Sequence, residues 1–458
     1  MSEPIFFIAL AHTDGFAKRI DGKRKMISLL RVLPERFREN VLFSLAFDNQ
    51  LHHDTAIGVD KHEWVPEALG HSRPKRIFAD CSAFGYRNQR GEPVFPGESV
   101  TVTSKEVWRR YKEAHMSEGR YRSDELLLCA PDHMICRIKE DVDNPDSPMI
   151  DLPKKEYRFR KKWNEKQAKD FFNIVKDEDS VTPVGVIHGH CDLEKDLSVR
   201  KKNVKNLIEI GYKYVALGGV AGRANDKGKI LDIVAGIKDL KQPRIAKGSI
   251  LDMCRKAGVK LHIFGLNSPD WYQWWIRLGV DSFDGSKLST EGAANGWYWY
   301  LLPEESDSKP ETAQGGLYDK IAVDEFGAYK KTEEGGQKDI AELWEWKSAV
   351  SESGVELSRP VHSTIDMGEI EVCECPACKF AEDWKCASDR CNRANKKPHS
   401  SDPRCMGSTE HNMMRVAHNA HVLDKVIERM LDLNRQADEV EDLPEEHWLN
   451  HWTSLRGD

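Results

Sequence analysis

The chain has 458 residues, a formal net charge of −7 and 40% hydrophobic side chains. That length and apolar content allow one large domain with an appendage, or two to three ordinary domains. No run of about 18 apolar residues occurs, so no membrane span is expected, and the mild acidity argues against a globally basic nucleic-acid binder while leaving room for a local basic face.

The first residues, Met1-Ser-Glu-Pro, lack a basic stretch followed by an apolar core, so no secretory signal is expected. The 11 cysteines are odd in number and several are bunched at metal-ligand spacing. Both facts fit a reducing cytoplasm better than a disulfide framework.

Short apolar runs predict strands at Ile5–Ala11, Val41–Ala46, Arg76–Ala79, Leu126–Cys129, Val184–His188, Tyr214–Leu217, Lys260–Phe264 and Ser282–Phe283. Charged, helix-compatible stretches follow them, such as Ser198–Ile210 and Ser268–Leu278. This alternation implies parallel βαβ units, and about eight of them suggest a (β/α)8 barrel; an open doubly wound sheet is the alternative. Residues just past barrel strands line the active face, which directs attention to Asp80, Asp132, His188, Gly218, Gly219, Gly265 and Asp284.

In Phe78-Ala-Asp80-Cys-Ser-Ala-Phe84, a carboxylate ends a strand and small residues follow, so a flat ligand can approach the backbone and Phe84 can stack on it. A helix-capping Asp with Phe84 in the core is the plainer reading. Leu217-Gly218-Gly219-Val-Ala-Gly222 is a strand running into a Gly-rich turn whose N–H groups suit a carbonyl or phosphate. It meets neither the dinucleotide nor the P-loop spacing. Gly279-Val-Asp281-Ser-Phe283-Asp284 puts Asp284 at a strand end, where a carboxylate can attack a sugar C1′; Asp281 reads as structural. Loop capping is the plainer reading of both. Trp271, Trp274 and Trp275 read as core or subunit packing.

Lys154, Lys155, Arg158, Arg160, Lys161 and Lys162 interleave with Tyr157, Phe159 and Trp163. Such a cluster suits phosphates and unpaired bases, or is simply a solvated face. Arg109-Arg110-Tyr111-Lys112 and Arg73-Pro-Lys75-Arg76 add positive charge.

After about residue 288 the character changes. Residues 304–339 read as a solvated excursion, so the expected division is a barrel over 1–340 and a metal-binding subdomain over 341–458. Cys373-Glu-Cys375-Pro-Ala-Cys378 can close on one tetrahedral zinc ion, with a fourth ligand from the stretch at His411. Cys386, Cys391, Cys405 and His399 read as a loop inside this subdomain. His411–Leu433 has helical periodicity and is expected to pack back onto the barrel.

Taken in order, these segments resemble the tRNA-guanine transglycosylase superfamily. Phe78-Ala-Asp80-Cys-Ser-Ala-Phe84 is similar to its D-S-G-G-F segment, Val186-Ile-His188-Gly189-His190 to V-Q-G-G, and Leu217-Gly218-Gly219-Val-Ala-Gly222 to I-G-G-L-A-x-G. His262-Ile-Phe264-Gly265 is similar to Y-L-M-G, Gly279–Asp284 to G-V-D-M-F-D, and Cys373, Cys375, Cys378 with His411-Asn412 to C-x-C-x-x-C…H-N. The resemblance runs from about residue 76 to 425. It implies a barrel with a structural zinc subdomain that exchanges guanine for a 7-deazaguanine. Asp284 would then be the nucleophile and Asp80 the general acid/base. Phe84 and Phe264 would sandwich the purine, Asp132 would pair with its Watson–Crick edge, and Gly218 and Gly219 would offer backbone contacts.

The chain also departs from that pattern. After Asp284 it continues Gly-Ser-Lys287-Leu-Ser-Thr, without the family's C-x-x-P-T-R, and His188 replaces the glutamine. These features are more similar to the DNA branch of the superfamily, which inserts 7-cyano-7-deazaguanine into DNA. Lys287 joins the basic residues expected on the nucleic-acid side. An accessory ATPase that opens the duplex and a homodimer through the zinc region would be further partners. The competing readings are a tRNA-modifying enzyme and a non-catalytic partner subunit.

Overall fold

The computed structural model describes residues 3–10, 15–20, 23–44, 74–116, 123–144, 146–190, 193–221, 226–238, 244–266, 269–285, 288, 297–301, 318–322, 375–376, 416–425, 427–428 and 431. Eight parallel strands close into a barrel. They are β1 (Ile5–Leu10), β2 (Asn40–Ser44), β3 (Arg76–Asp80), β4 (Glu125–Cys129), β5 (Val181–Ile187), β6 (Tyr214–Leu217), β7 (Lys260–Ile263) and β8 (Ser282–Gly285). β8 returns to β1 with Phe7 opposite Asp284, which closes the ring. All eight strands expected from the sequence are present. Their apolar runs are near-continuous because each strand is covered on both faces.

The helices are α1 (Glu35–Arg38), α2 (Ser104–Tyr111), α3 (Lys154–Val175), α4 (Leu193–Ile210), α5 (Lys227–Ala235), α6 (Ile250–Lys256) and α7 (Pro269–Leu278). Local chemistry sets their ends. Thr103, Asp226 and Ser249 cap α2, α5 and α6 by accepting from backbone N–H groups, and Gly236 closes α5 in a left-handed conformation. α3 buries Arg160, Trp163, Asn164, Gln167, Ala168, Phe171 and Val175. Their three- and four-residue spacing makes one helical stripe facing the strands. Trp271 and Trp275 of α7 are buried and stacked 5.1 Å apart, as core residues.

Two apolar layers result. Phe7, Leu42, Phe78, Leu127, Val184, Val186, Tyr214 and Ala216 fill the lumen, and a larger layer separates strands from helices. Residues 416–425 are helical, and Val416, Ala417, Ala420, Val422 and Leu423 join the outer layer. Asp424 bonds Arg36 at 2.7 Å and His421 Nε2 lies 2.7 Å from the Val32 carbonyl, so this helix docks beside α1. The expected return of the C-terminal helix to the barrel is therefore present.

Within the stretch read as a solvated excursion, Tyr318–Ala322 forms a strand, paired antiparallel with Trp297–Leu301. The Glu-, Lys-, Ser- and Gly-rich composition around it hid this short strand. No helix among the described residues is long and apolar enough to cross a membrane.

Candidate active site

The C-terminal ends of the strands bring together residues far apart in sequence. Asp80 ends β3, Asp132 and His188 follow β4 and β5, Gly218 follows β6, Phe264 and Gly265 follow β7, and Asp284 lies in β8.

One wall carries Asp80, Cys81, Asp132 and His188. Asp80 Oδ2 accepts from the Ser44 hydroxyl and from the Ser82 N–H, both at 3.2 Å. Ser82 has φ +73°, the one non-glycine residue with positive φ among those described. Such backbone is strained for an L residue, by about 1–2 kcal/mol. Here it turns the amide toward the carboxylate. Burial, and secondarily the Asp284 charge, raise the Asp80 pKa to about 6. The Cys81 thiol lies 3.1 Å from Asp132 Oδ1, and Tyr86 donates to the Asp132 carbonyl at 2.8 Å. Burial, with the Asp80 charge, raises the Asp132 pKa to about 7. His188 Nδ1 is 4.0 Å from Asp132 Oδ2. Burial and Arg200 hold the His188 pKa at about 3, so its ring is neutral and this contact is no ion pair.

The other wall carries Asp284. Its Oδ1 accepts from the Gly265 N–H at 3.0 Å and lies 3.1 Å from His262 Nε2. Phe264 is half-buried against Phe78 and His262. Asp281, by contrast, accepts from the Leu261 N–H and is structural.

The floor is braced from α4. Buried Arg200 binds Asp196 at 3.0 Å and the Gly218 carbonyl at 2.7 Å, and Asp196 accepts from the His190 N–H at 2.7 Å. The Gly218 N–H is engaged by Ile187 O, so that donor is not free for a base. Gly219, with φ +69°, remains at the turn.

Phe84 stands at the surface, 65% exposed, with the Arg87 guanidinium 3.6 Å above its ring. It is neither a core residue nor inside the lumen.

Lys154, Lys155, Arg158 and Lys162 are exposed on α3 and Lys161 is half-buried. Arg160 departs from the sequence expectation. It is fully buried, bound to Glu156 and to the carbonyls of Arg87, Gln89 and Met134, and it ties the loops after β3 and β4 together instead of meeting a phosphate. The helical period puts it on the stripe with Trp163 and Gln167. Arg109 and Arg110 are consumed by Glu98, Glu106 and Glu113. Lys75 and Arg76 pair with Glu39 and Glu125 at the opposite end of the barrel. Lys287 lies outside the described residues.

Asp80, Cys81 and Asp132 place ligand-type atoms within 4.8 Å of one another, so the group has the span of a metal site. Burial pushes the Cys81 thiol up, however, and it keeps its proton while donating to Asp132. The donor set therefore suits a hydrogen-bonded cluster better than a metal.

Of the expected zinc ligands, Cys373, Cys378 and His411 lie outside the described residues, as do Cys386, Cys391, Cys405 and His399. Cys375 is described, and its Sγ is 3.7 Å from Nδ1 of His418. Zinc–sulfur and zinc–nitrogen bonds at a tetrahedral angle put the two ligand atoms about 3.6 Å apart. The pair fits a shared ion. The sequence reading had passed over His418, although His418-Asn419 repeats the His-Asn signature of His411-Asn412.

No protein-family model matches the chain. Over 254 residues it is 24% identical to the DNA-guanine transglycosylase of Salmonella montevideo, a match covering 55% of this chain and 48% of that protein. The chain thus spans about half the length of this curated relative. The match agrees with the transglycosylase resemblance of the motifs and supports a glycosyltransferase-type enzyme at that general level.

Proposed function

We propose that this protein is a DNA-guanine transglycosylase that exchanges guanine in DNA for a free 7-deazaguanine base such as 7-cyano-7-deazaguanine. One observation carries the reading: two carboxylates at the C-terminal ends of β3 and β8, Asp80 and Asp284, share one barrel mouth and feel each other's charge. The likeness to a DNA-guanine transglycosylase over half the chain favours DNA over tRNA.

In this reading Asp284 attacks C1′ and the C1′–N9 bond breaks, its electron pair leaving with guanine. Asp80 protonates the departing base and later removes the proton from the incoming one. A pKa of about 6 leaves both of its forms populated near neutral pH, as a group that gives and takes a proton requires. The new base then displaces Asp284 from the other face, so configuration is retained. Asp132 and His188 meet the edge of the base, and Phe264 and Phe84 its faces. The target nucleotide must leave the stack to reach the mouth. Lys154, Lys155, Arg158 and Lys162 neutralise nearby phosphates.

A structural zinc ion is part of this proposal. It would be held by Cys373, Cys375, Cys378 and a histidine, and the geometry around Cys375 favours His418 over His411. When bound it ties the C-terminal segment together and takes no part in the chemistry.

Parallel exchange assays test the reading. Guanine-labelled DNA and guanine-labelled tRNA are each offered with 7-cyano-7-deazaguanine, with wild-type protein and with Asp284→Ala. The expected result is label release from DNA by the wild type only, with the Asp284→Ala fold intact. Release from tRNA alone would overturn the DNA assignment, and undiminished release by Asp284→Ala would overturn the nucleophile.

A further inference from the structure

The lumen is lined by apolar and aromatic side chains, yet one polar line crosses it. The hydroxyls of Tyr214, at the start of β6, and Ser282, at the start of β8, are 2.6 Å apart. Ser282 Oγ is 2.8 Å from Nδ1 of His262, whose Nε2 is 3.1 Å from Asp284 Oδ1. Tyr214, Ser282 and His262 are all buried. Phe78 stacks on the imidazole at 4.3 Å, and Phe7 and Phe264 meet it edge-on. Asp284, His262 and Tyr214 are the titratable groups along this line; the Lys260 ammonium lies 5.7 Å from the Tyr214 ring centre, and the charges of Asp281, Glu125 and Arg76 act on that end.

Buried polar hydrogens need acceptors. One arrangement supplies them all. Tyr214 donates to Ser282, Ser282 donates to Nδ1, and Nε2–H donates to the carboxylate. The reverse arrangement points a nitrogen lone pair at a carboxylate and leaves the Tyr214 proton without an acceptor along the line. The tautomer is thus set from both ends. The Gly265 N–H binds the same oxygen, Oδ1. Among the described residues no hydrogen bond reaches Oδ2.

We propose that His262, oriented by Ser282 and Tyr214, is a positioning residue that pins Oδ1 of Asp284 and leaves Oδ2 as the attacking atom. This rests on the reading of Asp284 as the nucleophile. The electron balance then says which half of the exchange His262 assists. In the first half, Oδ2 bonds C1′ and the C1′–N9 pair leaves with guanine, so the carboxylate becomes an ester and loses charge. In the second half, the incoming base bonds C1′ and the Oδ2–C1′ pair returns to the carboxylate. Negative charge redevelops over both oxygens, and the two donors on Oδ1 meet it. His262 therefore favours release of the covalent sugar more than its formation.

The test compares His262→Phe, His262→Gln and Ser282→Ala with wild type. Gln can restore an N–H donor near Nε2; Phe cannot. For His262→Phe, the first turnover of guanine release is expected to persist while steady-state exchange falls roughly tenfold to a hundredfold. A DNA–protein adduct should accumulate on denaturing gels. His262→Gln should recover most of the loss, and the KM for the free base should move little. Equal loss of the first turnover and the steady state, or equal damage from Gln and Phe, would overturn the proposal in favour of a packing role.

Histidine 15N spectra of wild-type protein give a reading that needs no activity. They should show a neutral, Nε2-protonated His262 at pH 7, with tautomer purity lost in Ser282→Ala. An Nδ1-protonated or cationic ring would overturn the proposal whatever the assays say. If the spectra are as expected but the wild type releases no guanine, the nucleophile reading has failed while the polar line stands.

Discussion

The Gly265 N–H donates to Asp284 Oδ1 at 3.0 Å from a left-handed backbone, φ +74°. A side chain on Gly265 would put its Cβ 2.7 Å from the Cβ of Ala221. Gly265→Ala therefore meets two penalties, about 1–2 kcal/mol for the backbone and a further clash with the turn after β6. Denaturant unfolding should show a loss of at least that size, and base exchange should fall because the shifted backbone draws the residue 265 N–H away from Oδ1. A variant as stable and active as wild type would remove Gly265 from the site.

The carboxyl of Asp132 gives a pH dependence with a definite sign. Its folded pKa, about 7, lies above its ordinary value of 3.8. Between those values the folded state holds a proton that the unfolded chain has released. The associated stability is fully present below about pH 4 and is lost as pH rises through 7. Asp132→Asn should flatten the decline of Tm between pH 4 and 7 and raise Tm at pH 8 relative to wild type. Thermal scans across that range decide it, and an unchanged slope would mean that Asp132 ionises normally.

Metal analysis tests the pair formed by Cys375 and His418. Cys375→Ala and His418→Ala should each lower bound zinc and Tm together, and His411→Ala should do so far less. Chelation should reproduce the loss of Tm in wild type, because structural zinc contributes directly to folding. Full zinc content in His418→Ala would return the fourth position to another residue.

The basic residues of α3 divide by exposure. Lys154, Lys155 and Arg158 are free to meet phosphates, whereas Arg160 is spent on internal carbonyls. Replacing the first three with Gln should weaken DNA binding and reduce the salt slope of log K by roughly 2 to 3. Arg160→Leu should instead lower stability. Salt titrations of binding separate the two, and an unchanged slope in the triple variant would move the DNA path elsewhere.

Much of the fold was legible because barrel strands announce themselves as short apolar runs, and both Asp80 and Asp284 sit where such runs end. Arg160 was misread because a run of basic letters hides the helical period that carries it inward beside Trp163 and Gln167. Tyr214, Ser282 and His262 were illegible as a group. Each is an ordinary strand residue in isolation, and the links from Tyr214 to Ser282 and from His262 to Asp284 span 68 and 22 positions. Only barrel closure sets them side by side. The Cys81–Asp132 contact, 51 positions apart, was hidden for the same reason.

The clasp between Arg36 and Asp424 joins positions 388 residues apart. β1 likewise waits for β8, its neighbour in the ring. A chain emerging from the ribosome therefore holds its first strand without a partner on one edge until Ser282–Gly285 has been made, and the apolar surface around α1 uncovered until the helix carrying Asp424 follows. Long-range closure of this kind slows folding and prolongs exposure of sticky surface. Shortening the chain before the C-terminal helix should accordingly be felt first at synthesis, as aggregation of new polypeptide, before any effect on the finished barrel is seen.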